Sequence, residues 1–205
     1  MGEAETGLRA RKKAKTRDLI IEIAVRQIVS RGYGETTVEG ISAEAEVSSR
    51  TFFRYFAGKD DAALAVLDRL DEAMASAFEA RPPGEPVFAG LCAALSSAWR
   101  ECWGKRLDPV HAKLFRLVGE EPALLAANAR RDARQRARLV AVAATRPGLA
   151  GERAHLAVSA FEGAFHVAVD AWRAEGGESV ESLLRHAKRC VALVPDVVET
   201  AARHP

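Results

Sequence analysis

The chain of 205 residues is short of cysteine, of aromatics and of long apolar runs. Cys92, Cys102 and Cys190 are odd in number and widely spaced, which argues against a disulfide framework or a zinc knuckle and fits a reducing cytoplasm. No segment has the roughly 18 uninterrupted apolar residues that span a bilayer, and no apolar core follows the N-terminal charges. Neither export nor membrane insertion is expected, and the protein is placed in the cytoplasm. Net charge is also scarce, at +2, so any affinity for a phosphate backbone must come from local clustering of Lys and Arg. Alternating strand patterns are missing too. Abundant Ala, Leu, Arg and Glu with few β-branched runs predict an all-α fold, and 48% hydrophobic against 28% charged residues is a globular balance. There is no glycine loop to cradle phosphate, no metal-binding helix motif and no nucleophile with a placed base. The expectation is a protein that is not an enzyme and that uses no cofactor and no metal.

The charges that are present are unevenly distributed. "LRARKKAKTR" at 8–17 carries Arg9, Arg11, Lys12, Lys13, Lys15 and Arg17 with no acid among them. Such a run reads equally as a solvated tail or as an arm on DNA. In "DLIIEIAVRQIVSRGYG", Ile20, Ile23, Ala24, Gln27 and Ile28 recur at helical spacing until Gly32 and Gly34 stop the helix. Thr36 and Glu39 have capping-box spacing and predict the start of a second helix, through about Ala45. Ser48 can cap a third, running to about Phe56. Gly58 ends that helix, and Asp60 and Asp61 suit the start of a fourth over 60–80. Pro82, Pro83, Gly84 and Pro86 then make the clearest break in the chain. Further helices are predicted over 87–103, 109–118, 122–145, 150–175 and 179–194, separated by Gly and Pro.

A short helix, a tight turn and a second short helix after a basic segment form the geometry that lays one helix in the major groove. The second short helix presents Ser48, Ser49, Arg50, Thr51, Arg54 and Tyr55, whose hydroxyl and guanidinium groups bond phosphate oxygens or base edges. On an isolated helix, Arg50 and Arg54 would read as an ordinary solvated face; within this motif they read as groove residues. Phe52 and Phe56 share a face at i and i+4 and should anchor the helix to Ile23, Ile28, Val38 and Ile41.

"TTVEGISAEAEVSSRTFFRYFAGKDDAAL" resembles the DNA-binding signature of the TetR-type bacterial transcriptional regulators, with a Thr opening the second helix and a Tyr-Phe-x-x-Lys ending. The "SRTFFRYF" form is similar to actinobacterial members, among them regulators of the mycofactocin type. The resemblance implies three DNA-binding helices, a connecting fourth, and a helical C-terminal domain that binds a small molecule and dimerises. It divides the chain into a basic flexible arm at 1–15, a helix-turn-helix domain at 16–61 and an effector-binding and dimerisation domain at 62–205. Carried over by position, it implies that Thr37, Ser48, Thr51, Tyr55 and Lys59 meet phosphates of a double-stranded operator, while Ser49, Arg50 and Arg54 face bases. Two residues depart from the pattern. Arg50 stands where many relatives have Gly, and Phe53 where many have a Tyr whose hydroxyl reaches phosphate.

Large aromatics recur on several of the later helices. Trp99, Trp103, Phe115 and Phe161 are the candidate lining of a site for a small hydrophobic or aromatic effector, although each alone reads as core. Arg130, Arg131, Arg134, Arg136 and Arg138 read as a solvated face or as a clamp for an acidic effector such as an acyl-CoA. Glu162, His166 and Asp170 follow at i, i+4 and i+8 but lack partners for a metal sphere, so polar pocket or interface groups are expected. The last two helices combine small and apolar residues suited to a homodimer interface. The function expected is a ligand-responsive repressor released from a palindromic operator. The competing class is a helical protein-interaction or small-molecule-binding module without specific DNA binding.

Overall fold

The computed structural model describes residues 2–203, with side chains over 9–199. The described residues form ten α-helices: α1 (Gly2–Arg31), α2 (Val38–Glu44), α3 (Ser49–Phe53), α4 (Lys59–Leu64), α5 (Asp68–Glu79), α6 (Val87–Trp103), α7 (Pro109–Glu120), α8 (Pro122–Ala144), α9 (Glu152–Ala174) and α10 (Val180–Arg203). They group into two compact units. One takes the chain up to Asp68 together with Lys113–Asn128, and the other takes Arg69–Ala112 together with the chain from Ala129 onward.

In the first unit, α1 packs on α2 and α4, and α2 packs on α3. The expected face of α1 is buried throughout: Ile20, Ile23, Ala24, Gln27 and Ile28 are all at most 2% exposed. Ile41, Phe52 and Phe56 complete the core from the short helices. Gln27 is the polar member of this face, and its amide donates to Glu44 Oε2 at 2.6 Å and to the Gly40 carbonyl at 3.3 Å. That hydrogen bond, joined by one from Arg26, holds the Glu44 carboxyl below its ordinary pKa. The basic run lies within α1, which begins at Gly2, and Arg9, Arg11, Lys12, Lys13 and Lys15 are exposed along it.

Several boundaries differ from the sequence-based expectation: the arm expected to be flexible is helical from Gly2, α3 ends at Phe53 short of about Phe56, α10 continues past 194, and the starts of α2 and α5 are displaced. The cap of α2 is Thr37, whose hydroxyl oxygen accepts from Gly40 N at 3.0 Å. Thr36 is instead buried, donating to the Gly32 carbonyl at 2.8 Å. With the cap one residue later, Gly40 takes the third helical position, and the box with Glu39 does not form. The predicted helix over 60–80 is also broken, because a 3₁₀ turn at Ala65–Leu67 separates α4 from α5. No Gly or Pro marks this break. Asp68 begins α5 and accepts from Arg17 at 2.6 Å, a long-range contact that local propensity does not encode.

In the second unit, α9 and α10 pack along each other and α6 packs against both. Leu91, Leu95, Trp99, Val158, Phe161, Trp172, Leu183 and Leu184 fill the space between them. Trp172 Nε1 donates to the Ser179 carbonyl at 2.8 Å. Beside it, the loop after α6 pairs with the loop before α10 through Leu107 N to Glu178 O and Val180 N to Lys105 O, both at 3.0 Å. Arg146 is 5% exposed and donates to the carbonyls of Phe78 and Pro82. It adds a second donor to each carbonyl, beside the backbone hydrogen bonds from Arg81 N and Glu85 N, while its guanidinium lies 4.2 Å from the Phe78 ring centroid.

Candidate nucleic-acid interface

The turn between α2 and α3 is set by backbone geometry. Val47 N bonds to Ser42 O at 3.0 Å and Glu46 N to Ala43 O at 3.2 Å, the paired 6→1 and 5→2 bonds of a Schellman ending. Glu46 holds φ at +54° there, a left-handed conformation that costs a residue with a Cβ about 1–2 kcal/mol. Ser48 then caps α3, accepting from Thr51 N at 3.1 Å and sharing a hydrogen bond with the Thr51 hydroxyl at 3.0 Å. The helix is only five residues long, so its placement depends on packing more than on its own hydrogen bonds. Phe52, fully buried, and Phe56, 4% exposed, supply that packing, with ring centroids 5.8 Å apart.

With those two rings facing inward, Arg50 and Arg54 are exposed, and Ser49 and Tyr55 are half-buried. The Arg54 guanidinium sits 5.3 Å from the Tyr55 ring centroid. Thr37 is exposed at the start of α2, with its hydroxyl oxygen engaged in the cap and its proton still available to an acceptor. The structure therefore brings Ser48, Ser49, Arg50, Thr51, Arg54 and Tyr55 together around one short helix.

Lys59 is placed differently from the expectation. Its ammonium donates to the carbonyls of Tyr33 at 2.6 Å and Thr36 at 2.8 Å, and lies 4.0 Å from the Tyr33 ring centroid. The side chain is committed to the α1–α2 loop and ties the start of α4 to it. Its occurrence at a helix N-terminus, opposed by the helix dipole, thus has partners within the protein, and the third ammonium donor is left over from these two bonds. Tyr33 is a residue that sequence reasoning missed, since only the fold places its ring under Lys59. Lys59→Met should lower stability by about 1–3 kcal/mol, because two loop carbonyls lose their donor. Chemical denaturation would measure it, and an unchanged midpoint would contradict the assignment.

In the second unit, Trp99, Trp103 and Phe161 belong to one aromatic cluster. Trp99 is 4.8 Å from Trp103, 6.5 Å from Phe165 and 6.0 Å from Trp172, and Phe165 stacks on Phe161 at 6.5 Å. Trp99 and Phe161 are buried, so the cluster is packed. Phe115 is also buried but belongs to the residues of the first unit. An open cleft of about 510 Å³ lies between α5 and α6, lined by Arg69, Glu72, Ala73, Ser76, Ala77 and Glu101, none of which was anticipated. Two arginines of the run in α8 already have carboxylate partners: Arg131 pairs with Asp71, and Arg136 with Glu162.

Among the described residues, no group of three His, Cys, Asp or Glu could hold a metal ion. Glu162, His166 and Asp170 each face another group: Arg136, then Asp132 at 3.6 Å, then Arg173 at 3.4 Å. Burial raises the pKa of the Glu162 carboxyl against the pull of Arg136. The Asp132 carboxylate beside it raises that of His166 above its ordinary 6.5, opposed by burial and assisted by Glu162 and Asp170. A raised folded-state value means that His166 contributes fully below pH 6.5 and that the contribution fades as pH rises through the raised value. Thermal midpoints of His166→Gln should therefore fall less than those of the parent across that window. Parallel profiles would contradict the pairing.

A buried aromatic anchor, a Schellman turn and an outward row of Arg, Ser and Thr on a short second helix define a helix-turn-helix DNA-binding protein. The chain matches the family model described as bacterial regulatory proteins, tetR family, over residues 20–66. That stretch holds the apolar face of α1 and all of α2, α3 and α4. Over 188 residues the chain is 35% identical to the HTH-type transcriptional regulator TcmR of Streptomyces glaucescens, covering 86% of this chain and 81% of that protein. In fold it is similar to a TetR-family transcriptional regulator from Mesorhizobium loti, with a TM-score of 0.55, 20% identity, and coverage of 90% of this chain and 97% of that one. It is also similar to the fatty acid degradation regulator FadR from Bacillus halodurans, with a TM-score of 0.57, 18% identity, and coverage of 87% and 94%. The chain belongs to the TetR family of bacterial transcriptional regulators. It is a DNA-binding regulator of transcription rather than an enzyme, and regulators of this family bind DNA operators, form dimers and take small-molecule effectors. Among the described residues, no helix is long and apolar enough to cross a membrane.

Proposed function

We propose that this regulator is a cytoplasmic repressor that binds a palindromic operator as a homodimer and leaves it when a small hydrophobic or aromatic effector binds. Ser49, Arg50 and Arg54 face bases, and Thr37, Ser48, Thr51 and Tyr55 face phosphates. Lys59 acts as a positioning residue through the Tyr33 and Thr36 carbonyls. In this reading 16–61 bind DNA and 62–205 bind effector and dimerise, and Arg9, Arg11, Lys12, Lys13 and Lys15 stand exposed along the start of α1.

The observation that carries the reading is the exposure of Arg50 and Arg54 on a short helix anchored by Phe52. An Arg in the major groove can bond guanine O6 and N7 together, a contact worth about 1–3 kcal/mol of discrimination. Selecting bound fragments from random duplexes should yield a palindrome, and Arg50→Ala should lose roughly ten- to a hundredfold of the preference for it over scrambled DNA. Equal discrimination by variant and parent would remove Arg50 from the base-reading set.

For the effector, the packed cluster of Trp99, Trp103 and Phe161 supports an apolar or aromatic ligand that enters by parting the rings. Phe115 is left out of this site. An acyl-CoA clamp in α8 is the weaker reading, since Arg131 and Arg136 are already paired with Asp71 and Glu162. Effector binding would shift the population towards a state in which the paired α3 helices no longer match successive grooves. The 3₁₀ turn at Ala65–Leu67 is a natural place for the chain to yield.

A further inference from the structure

Phe53 is exposed at 56%, whereas its neighbour Phe52 is fully buried. It lies on α3 four residues after Ser49 and three after Arg50, so all three project from one helical face. Its ring is held edge-on against Phe52, with centroids 5.6 Å apart and planes at 86°. That contact rests one edge of the ring on the core and leaves the rest of it facing outward. The result is an exposed apolar ring on the same face as the exposed Arg50, on the helix that the proposed function lays in the major groove.

The surface that such a helix meets is polyanionic and hydrogen-bonding, with one apolar feature on the floor of the groove: the C5 methyl of thymine. A phenyl ring can neither donate to phosphate nor bond a base edge. What it can do is exclude water from that methyl. We propose that Phe53 is a specificity-determining residue that reads a thymine methyl beside the base contacted by Arg50. The proposal rests on the DNA-binding role of α3 and extends it to a residue with no polar atom.

Deoxyuridine provides the test, because it lacks only the methyl group. The operator is first selected from random duplexes with the full-length parent, and each thymine is then replaced singly by deoxyuridine. One position in each half-site should weaken parent binding about fourfold, the value of burying one methyl-sized group. Phe53→Ala should bind the thymine operator about fourfold more weakly than the parent and be indifferent to deoxyuridine there. Phe53→Tyr, which keeps the ring, should retain the parent's sensitivity. Since Phe53 is exposed, its variants should keep the parent's thermal midpoint. The proposal is overturned if no deoxyuridine position weakens the parent, or if the same position weakens parent and Phe53→Ala equally. A Phe53→Ala variant weakened alike on operator and scrambled DNA would also overturn it, by assigning the ring to the sugar-phosphate backbone. Failure of the parent to select any duplex would overturn both this inference and the DNA-binding role of α3. Selection without deoxyuridine sensitivity would overturn this inference alone.

Discussion

Phe52→Ala should destabilise the first unit by about 3–5 kcal/mol, the usual cost of deleting a fully buried phenyl ring. Phe52 has no exposed surface and is in ring contact with both Phe53 and Phe56. Its loss opens a cavity beneath a five-residue helix that has too few internal hydrogen bonds to persist alone. Since a domain has a total stability of about 5–15 kcal/mol, the substitution consumes a large part of it. Denaturant unfolding should show the lowered midpoint, and DNA binding should fall with it on every sequence. Phe53→Ala, one residue away, should leave the midpoint unchanged. A Phe52→Ala protein as stable as the parent would mean that α3 is held by something other than its aromatic anchor.

Val167→Asp should separate the dimer. On α9, Leu156, Ser159, Gly163 and Val167 follow one another along an outward face; Leu156 is 69% and Val167 61% exposed in the single subunit. Leu193, Val197 and Val198 are exposed on α10. Gly163 leaves open space where a side chain would stand, which lets a second helix approach closely. If two copies bury this face against each other, a two-fold axis places both aspartates in the interface. Each unpaired buried carboxylate costs several kcal/mol. Dissociation should strengthen by at least about a hundredfold, while the isolated subunit keeps its fold because the site is exposed there. Mass measurement in solution at micromolar concentration would show the parent as a dimer and the variant as a monomer. A dimeric variant of undiminished operator affinity would place the interface elsewhere.

The fold was most legible where hydrophobic period and chain breaks agree. The spacing of Ile20, Ile23, Ala24, Gln27 and Ile28 marked the buried face of α1, and the run of prolines before Val87 marked the start of α6. What escaped depends on contacts between segments distant in sequence. Arg17 meets Asp68 and Lys59 meets the carbonyls of Tyr33 and Thr36, and no local pattern announces either pair. The cap of α2 moved to Thr37 because Thr36 is drawn inward to the Gly32 carbonyl, a choice between adjacent threonines that spacing alone does not decide. α10 runs to Arg203 through Pro195, beyond the predicted end at 194. For the DNA-facing helix, residue types indicated which side chains could reach DNA, and burial sorted them by face. Phe53 needed the structure, since the sequence marked it only by the hydroxyl it lacks and did not show its ring facing outward.

In the proposed function α3, with Arg50 and Arg54 outward, reads duplex DNA. Its most direct test is the affinity of the parent for its selected palindrome and for scrambled DNA as salt is raised. Log affinity should fall steeply and linearly with log salt, by about 0.9 per phosphate neutralised. The preference for the palindrome should persist across the series and weaken in Arg50→Ala. A shallow slope with equal affinity for both duplexes would contradict it.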